Sequence, residues 1–431
     1  MKKSFFWIVY GVLLGVVTLA GLELIAFILT PAWPAYELRP IAVPTNLVRQ
    51  VEMADGSHKT IPFYNSWGMK DRERSFDRPR GIRFRTVFNG DSFLEGMFRL
   101  EPLSHVVELD WARAGRHDME AINLGISATN PIHYYYRISN VVVKLHPDAM
   151  LLMFYPGNDF TSQTWSPDRS LPFVAERPKP SLLGGIAPHL TWQIVNRLGL
   201  SELAGGNTSA PDEYNIMLDI MKKPRKDRVA PLAAYLRQYY LPNVSEAQIE
   251  EILSRNGGSF WEPFERKDET AEQLAGWIPA SIIRFETGET KTPATAAEAE
   301  RTIDPAEVES TLSWLIAARK LAEANGIRLV IAVAPMGSVD PSYVEFWKPW
   351  PRYYGWSVRQ TVERRLLLEA LQRHGISALD LAQDLDGVRG SYRLTDGHWT
   401  ALGTSVVAKR VAQELIRVRN GRPPDKRATA D

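Results

Sequence analysis

Hydrophobic and polar positions divide the chain into one long apolar stretch and a patterned body. From Phe5 to Leu29 the only charged residue is Glu23. A helix rising about 1.5 Å per residue crosses a hydrocarbon core of roughly 30 Å in such a span. Residues 1–33 are therefore expected to form a membrane anchor through residues 5–29. Thr18-Leu19-Ala20 also reads as a small-residue cleavage site, but the apolar run continues past it, which favours an uncleaved anchor. Lys2 and Lys3 precede the span, so the positive-inside rule puts the N-terminus in the cytoplasm and the body on the far side, in a bacterium the periplasm. The expectation is a single-pass protein of the inner membrane. Glu23, near the outer end, is expected to snorkel or to meet a partner helix.

Residues 34–80 hold Pro34, Pro40, Pro44 and Pro62 and end in KDRERSFDRPR, the pattern of a linker and domain edge. From 81 onward, strand-like runs (IRFRTVF, MEAINLG, AMLLMFY, IRLVIAVA, ISALDLA) alternate with helical segments. That alternation predicts an α/β fold, a mainly parallel sheet with helices on both faces. Asn130-Pro131 opens a helix expected to end near Leu145, and Asp304-Pro305 with Glu307 opens another that Gly326 closes. The connection between AMLLMFY and IRLVIAVA is far longer than a β-α-β crossover requires. The chain thus divides into a first half at 81–160, an inserted cap or lid at 161–304, a second half at 305–420 and a disordered tail at 421–431. Within the insertion, Ser245 and Gln248 form a capping box, and the basic run Lys222 to Arg228 reads as a solvated face.

Composition narrows the function. Lys plus Arg number 51 against 50 acidic residues, so no net field draws nucleic acid. No cysteine is present, which removes thiol nucleophiles, disulfides and thiolate metal sites. No metal site and no cofactor is expected.

The stretch FNGDSFLEG places Ser92 directly after a strand. Gly-Asp-Ser is ordinary turn chemistry, but it is also where an α/β enzyme exposes a serine at the mouth of its sheet. The other strands lead into Gly125, into Gly157-Asn158-Asp159, and into Thr395-Asp396-Gly397-His398-Trp399. In a parallel sheet these loops leave one edge, so serine, glycine, asparagine and histidine converge there.

With these four blocks in order, GDSF, INLGISATNP, YPGNDF and TDGHWT, the chain resembles the SGNH hydrolases, the GDSL-type esterase superfamily. Asn65 to Asp71 is similar to the segment preceding the first block in membrane-anchored members. The resemblance covers residues 65–160 and 305–415 and implies a three-layer α/β/α, flavodoxin-like fold. It implies that Ser92 is the nucleophile, His398 its general base, and Asp396 the acid that orients and stabilises the imidazolium. It also implies an oxyanion hole from the N–H groups of Ser92 and Gly125 and the amide of Asn158. Many members carry the acid three residues before the histidine, where this chain has Thr395. The Asp-x-His-Trp block instead resembles the alginate O-acetyltransferase branch, whose acceptors are sugar hydroxyls.

Beside this set, His133 is expected to pack or face solvent, and Asp91 and Asp159 to serve as turn acceptors. The aromatic stretch Tyr343 to Trp356 follows a strand on the same sheet edge. Trp347, Trp350, Tyr353, Tyr354 and Trp356, with Trp399, are therefore candidate substrate-binding residues.

The leading expectation is a membrane-anchored serine esterase acting on O-acyl, above all O-acetyl, esters of an envelope or extracellular glycan. An O-acetyltransferase using the same triad is the alternative, since both share the first half-reaction. A non-catalytic glycan-binding subunit is the further alternative, and envelope-assembly proteins are candidate partners.

Overall fold

The computed structural model describes residues 2–29, 48–52, 58–62, 65, 67–96, 101–166, 186–187, 189–191, 193–194, 213–269 and 274–421. The expected tail after Gly421 and the proline-rich start of the insertion lie largely outside these residues. The chain forms two compact units, one of 1–52, 58–75 and 170–209, the other of 53–57, 76–169 and 210–431.

In the first unit, Lys2–Leu29 is one helix, α1, whose stretch Phe5–Leu29 is long and apolar enough to cross a membrane. Its one acid meets a segment of the same chain. Glu23 Oε1 accepts the N–H of His189 at 3.0 Å and lies 2.6 Å from the ring Nδ1, while Oε2 accepts the N–H of Leu190 at 2.8 Å. A carboxylate in an apolar helix is costly unless it is hydrogen-bonded in this way. Within the stretch read as a linker, strands β1 (Val48–Glu52) and β2 (His58–Pro62) pair antiparallel. The proline content hid this hairpin from sequence reading.

The second unit carries a five-stranded, wholly parallel sheet of β3 (Phe84–Asn89), β4 (Met119–Asn123), β5 (Ala149–Phe154), β6 (Arg328–Val333) and β7 (Ala378–Asp380). Strands β3, β4 and β5 are buried throughout, as strands covered on both faces must be. The spatial order is β4-β3-β5-β6-β7. The chain passes from β3 to β4 on one side and returns to β5 on the other. The carboxyl end of β3 is therefore the switch point at which open α/β sheets bind ligands, and Ser92 follows it.

The helices keep their sequence punctuation. Asn130 caps Pro131–Asn140 by accepting the N–H of Ile132, with His133 closing the capping box. That helix stops five residues short of Leu145, where a 3-10 turn, Val142–Leu145, takes over. Asp304 caps Pro305–Ala324, which Gly326 follows at φ 72°. Ser245 and Gln248 form their capping box ahead of Glu246–Leu253. Of the basic run, Arg225 and Arg228 both contact Glu265, tying two parts of the insertion together.

Candidate active site

Strand β3 stops at Asn89, and Gly90-Asp91 turns the chain into the one-turn helix Ser92–Glu95. Asp91 caps it, its Oδ1 accepting the Phe93 N–H at 3.0 Å. Gly96 closes it with φ 75°, a left-handed conformation that suits a residue without Cβ. Beneath this turn lies a buried polar network. Arg137 donates to Asn89 Oδ1 at 2.8 Å and to the Gly90 carbonyl at 3.0 Å, and Tyr134 donates to Asp159 at 2.8 Å. Asp159 also accepts the Tyr155 N–H at 2.7 Å, so both aspartates are turn acceptors. Sequence reading missed Tyr134 and Arg137, although an arginine on the buried face of a helix was a legible sign.

Ser92 Oγ lies 2.8 Å from His398 Nε2. With the imidazole proton on Nδ1, the serine hydroxyl donates to Nε2. Nδ1 faces Asp396 Oδ2 at 3.7 Å, an ion-pair distance rather than a hydrogen-bond one. The other carboxylate oxygen, Oδ1, accepts the backbone N–H of His398 at 2.8 Å. Gly397 between them has φ 73°, which lets so short a loop close. The turn is also zipped at its base, where Arg393 N–H donates to the His398 carbonyl at 2.7 Å and Tyr392 bridges Trp399.

The electrostatics follow from burial. Burial pulls the His398 pKa down, but the negative charges of Asp396 and Asp91 outweigh it, and the net direction is up. Burial pushes the Asp91 carboxyl up to about 6, against the Phe93 hydrogen bond and the attraction of His398. Burial, and then Asp91, hold Asp159 well above the usual carboxylate range.

Ser92, His398 and Asp396 line a cavity of about 590 Å³ together with Asn158, Ala128 and Tyr155. Asn158 is exposed to it. Gly125 does not line this cavity. Its N–H donates to Asn123 Oδ1 at 2.9 Å, and a Cβ there would come within 2.3 Å of the Glu95 nitrogen. Gly125 is thus a close-packing glycine against the Ser92 helix. The cavity wall from this loop is Ala128, exposed and held at φ 58°, a conformation that costs a residue with a Cβ about 1 kcal/mol. Among the described residues its N–H has no hydrogen-bond acceptor. Buried Glu95 fixes this turn by accepting both the N–H of Ser127, at 2.6 Å, and its hydroxyl.

The aromatic candidates separate. Tyr353 and Trp356 line the cavity. Trp347 and Trp350 do not, because they are fully buried, with their indole N–H groups spent on the Leu394 and Ile252 carbonyls. Trp399 is also buried, donating to the Tyr392 hydroxyl and packing on Phe93, whose ring lies 4.8 Å from that of His398. Tyr354 is half-buried against the core and outside the cavity lining. The stretch forms helices Pro341–Trp347 and Pro351–Arg373, so its rings fall on different faces. The opposite cavity wall comes from the insertion, where helix Trp277–Thr287 presents Trp277, Ile278, Ser281, Arg284 and Phe285. Among the described residues no group of three or more His, Asp or Glu could hold a metal ion.

Residues 295–430 match the family described as SGNH hydrolase-like domain, acetyltransferase AlgX. This span contains Asp396 and His398, while Ser92 and Asn158 lie upstream. No curated protein matches the chain. Among solved structures, an alpha/beta hydrolase from the metagenome of Lake Arreo, Spain, is 14% identical with 77% of this chain and 95% of that one covered, at a TM-score of 0.32. A GDSL-like lipase from Bacteroides thetaiotaomicron is 10% identical with 78% and 88% covered, at 0.30. An acetyl xylan esterase is 13% identical with 77% and 98% covered, at 0.23. At these TM-scores the likenesses add nothing to the assignment. The segment 295–430, which carries strands β6 and β7 with Asp396 and His398, is thus similar to an SGNH hydrolase-like domain of an acetyltransferase family.

Proposed function

We propose that the protein is a membrane-anchored serine esterase that removes acyl groups, above all O-acetyl, from an envelope or extracellular glycan. The observation that carries this reading is the 2.8 Å contact of Ser92 Oγ with His398 Nε2 at the wall of the cavity. His398 takes the serine proton as Oγ bonds to the ester carbonyl carbon, and Asp396 stabilises the resulting imidazolium. The tetrahedral oxyanion is met by the N–H groups of Ser92 and Ala128 and by the Asn158 amide, with Ala128 in the part that the resemblance implies for Gly125. When the tetrahedral species collapses, the ester C–O bond breaks and His398 returns the proton to the departing hydroxyl. The acyl group remains on Ser92. Water, deprotonated by His398, then attacks the acyl carbonyl; the acyl C–Oγ bond breaks, His398 returns the proton to Ser92 Oγ, and the carboxylic acid leaves. Helix α1 anchors this chemistry to the inner membrane, with the second unit on the periplasmic side.

A second reading, transfer of the acyl group to a sugar hydroxyl, is favoured by the family match to an acetyltransferase. It changes only the second half-reaction, with the acceptor hydroxyl deprotonated by His398 in place of water. Trp356 and Trp277 offer faces on which a sugar ring can stack in either case. The test is full-length protein in detergent with p-nitrophenyl acetate, with and without oligosaccharide acceptors, comparing wild type and Ser92→Ala. Serine-dependent release indifferent to sugar, with no acetylated sugar by mass spectrometry, identifies the esterase. Release accelerated by sugar, with acetyl appearing on it, identifies the transferase. Equal rates in wild type and Ser92→Ala contradict both.

A further inference from the structure

We infer that Glu269, carried by the insertion, is a positioning residue that holds the turn Leu394–His398 so that Asp396 and His398 face Ser92. This rests on the reading of those three residues as the reacting set. One carboxylate takes three hydrogen bonds from two consecutive residues: Oε1 accepts the N–H of Leu394 at 2.7 Å and that of Thr395 at 3.0 Å, and Oε2 accepts the Thr395 hydroxyl. The next residue is Asp396. From the other side, Trp347 Nε1 donates to the Leu394 carbonyl at 2.8 Å, so the peptide leading into the Asp-Gly-His turn is held on both its donor and acceptor faces.

Glu269 is 5% exposed, and burying a carboxylate is unfavourable unless hydrogen bonds repay it. Apolar packing alone could join the insertion to the core without that cost. The carboxylate does what packing cannot, because it fixes the direction of two N–H groups. Burial, and then the nearby charge of Asp396, push its carboxyl up to about 7. Glu269 also lines a distinct cavity of about 770 Å³, and the other charged groups there are Glu262, Arg266, Asp268, Glu345, Arg389 and Arg393. The insertion therefore enters the site twice, as the wall formed by Trp277–Thr287 and as the clamp formed by Glu269.

The test uses full-length Glu269→Ala and Glu269→Gln in detergent, read by hydrogen exchange and by kinetics. Glu269→Ala is expected to speed exchange in the peptide spanning residues 390–400 while β3, β5 and β6 stay protected. Its kcat is expected to fall by about 100-fold, the scale set by small misplacement of reacting groups, with KM little changed. The acid-side fall of kcat/KM moves to lower pH, because His398 loses part of its carboxylate neighbour. Glu269→Gln, whose side-chain oxygen still accepts both N–H groups, restores most of kcat. Unchanged exchange at 390–400, loss of protection throughout the sheet, or a raised KM at unchanged kcat would each overturn the clamp. Should Ser92→Ala keep wild-type activity, the reading of the site falls, while the exchange data still decide whether Glu269 holds the turn.

Discussion

Asp396 stands two residues before His398, and its two carboxylate oxygens face different parts of that residue. Oδ1 accepts the backbone N–H at 2.8 Å, and Oδ2 faces ring Nδ1 at 3.7 Å. A spacing one residue shorter than the common pattern thereby still brings acid and imidazole together. Because His398 feels Asp396 and Asp91 more strongly than its own burial, its pKa is raised. A general base works only when neutral, so kcat/KM is expected to fall on the acid side as pH drops through that raised value. Asp396→Asn removes the largest raising charge, so the fall moves to lower pH, and kcat drops by about 10²- to 10⁴-fold. A pH profile of both proteins reads both effects.

The oxyanion donors make a prediction in which two neighbouring loop positions differ. Asn158→Ala is expected to lower kcat by about 10²- to 10³-fold with little change in stability. Ala128→Gly keeps its N–H and relieves the left-handed backbone. It is expected to retain activity and to raise stability by up to about 1 kcal/mol. Gly125→Ala drives a Cβ to 2.3 Å from the Glu95 nitrogen and is expected to lower the melting temperature sharply. Melting curves beside kcat separate the three.

For the aromatics, Trp347→Ala and Trp350→Ala empty the core and are expected to cost about 3–5 kcal/mol in denaturant unfolding. Trp356→Ala is expected to raise KM with a smaller loss of stability, since that ring lines the cavity.

Glu269 gives a pH dependence of stability. A carboxyl raised from 4.5 to about 7 favours its protonated form in the folded state. Its contribution is full below about 4.5 and is lost as pH rises through 7, by at most about 3 kcal/mol. Glu269→Gln does not titrate, so its melting temperature is expected to gain on wild type between pH 5 and pH 8.

The sheet was legible because β3, β4 and β5 are short strand-like runs bounded by turn residues, and Asn130, Ser245 and Asp304 announced their helices through capping chemistry. That Ser92, Asn158, Asp396 and His398 line one cavity was legible because a parallel sheet delivers its loops to one edge. The surroundings of Gly125 were not legible, because a glycine reads alike whether it admits a substrate or a neighbouring helix. Only the direction of its N–H, onto Asn123, distinguishes the two. Trp347 and Trp350 were not separable from the cavity-lining rings by their place after a strand, because helix periodicity turns them inward. Ala128 and Glu269 carried no local signal: one depends on a backbone angle, the other on a contact across more than a hundred residues of chain.

The most direct measurement of the central claim is to locate the acyl group. Wild-type protein is mixed with p-nitrophenyl acetate, acid-quenched during the first turnover and digested, and its peptides are weighed. A single acetyl on the peptide containing Ser92, absent from Ser92→Ala, is the predicted result. Ester cleavage with no acetyl on that peptide, continuing at the wild-type rate in Ser92→Ala, would contradict it.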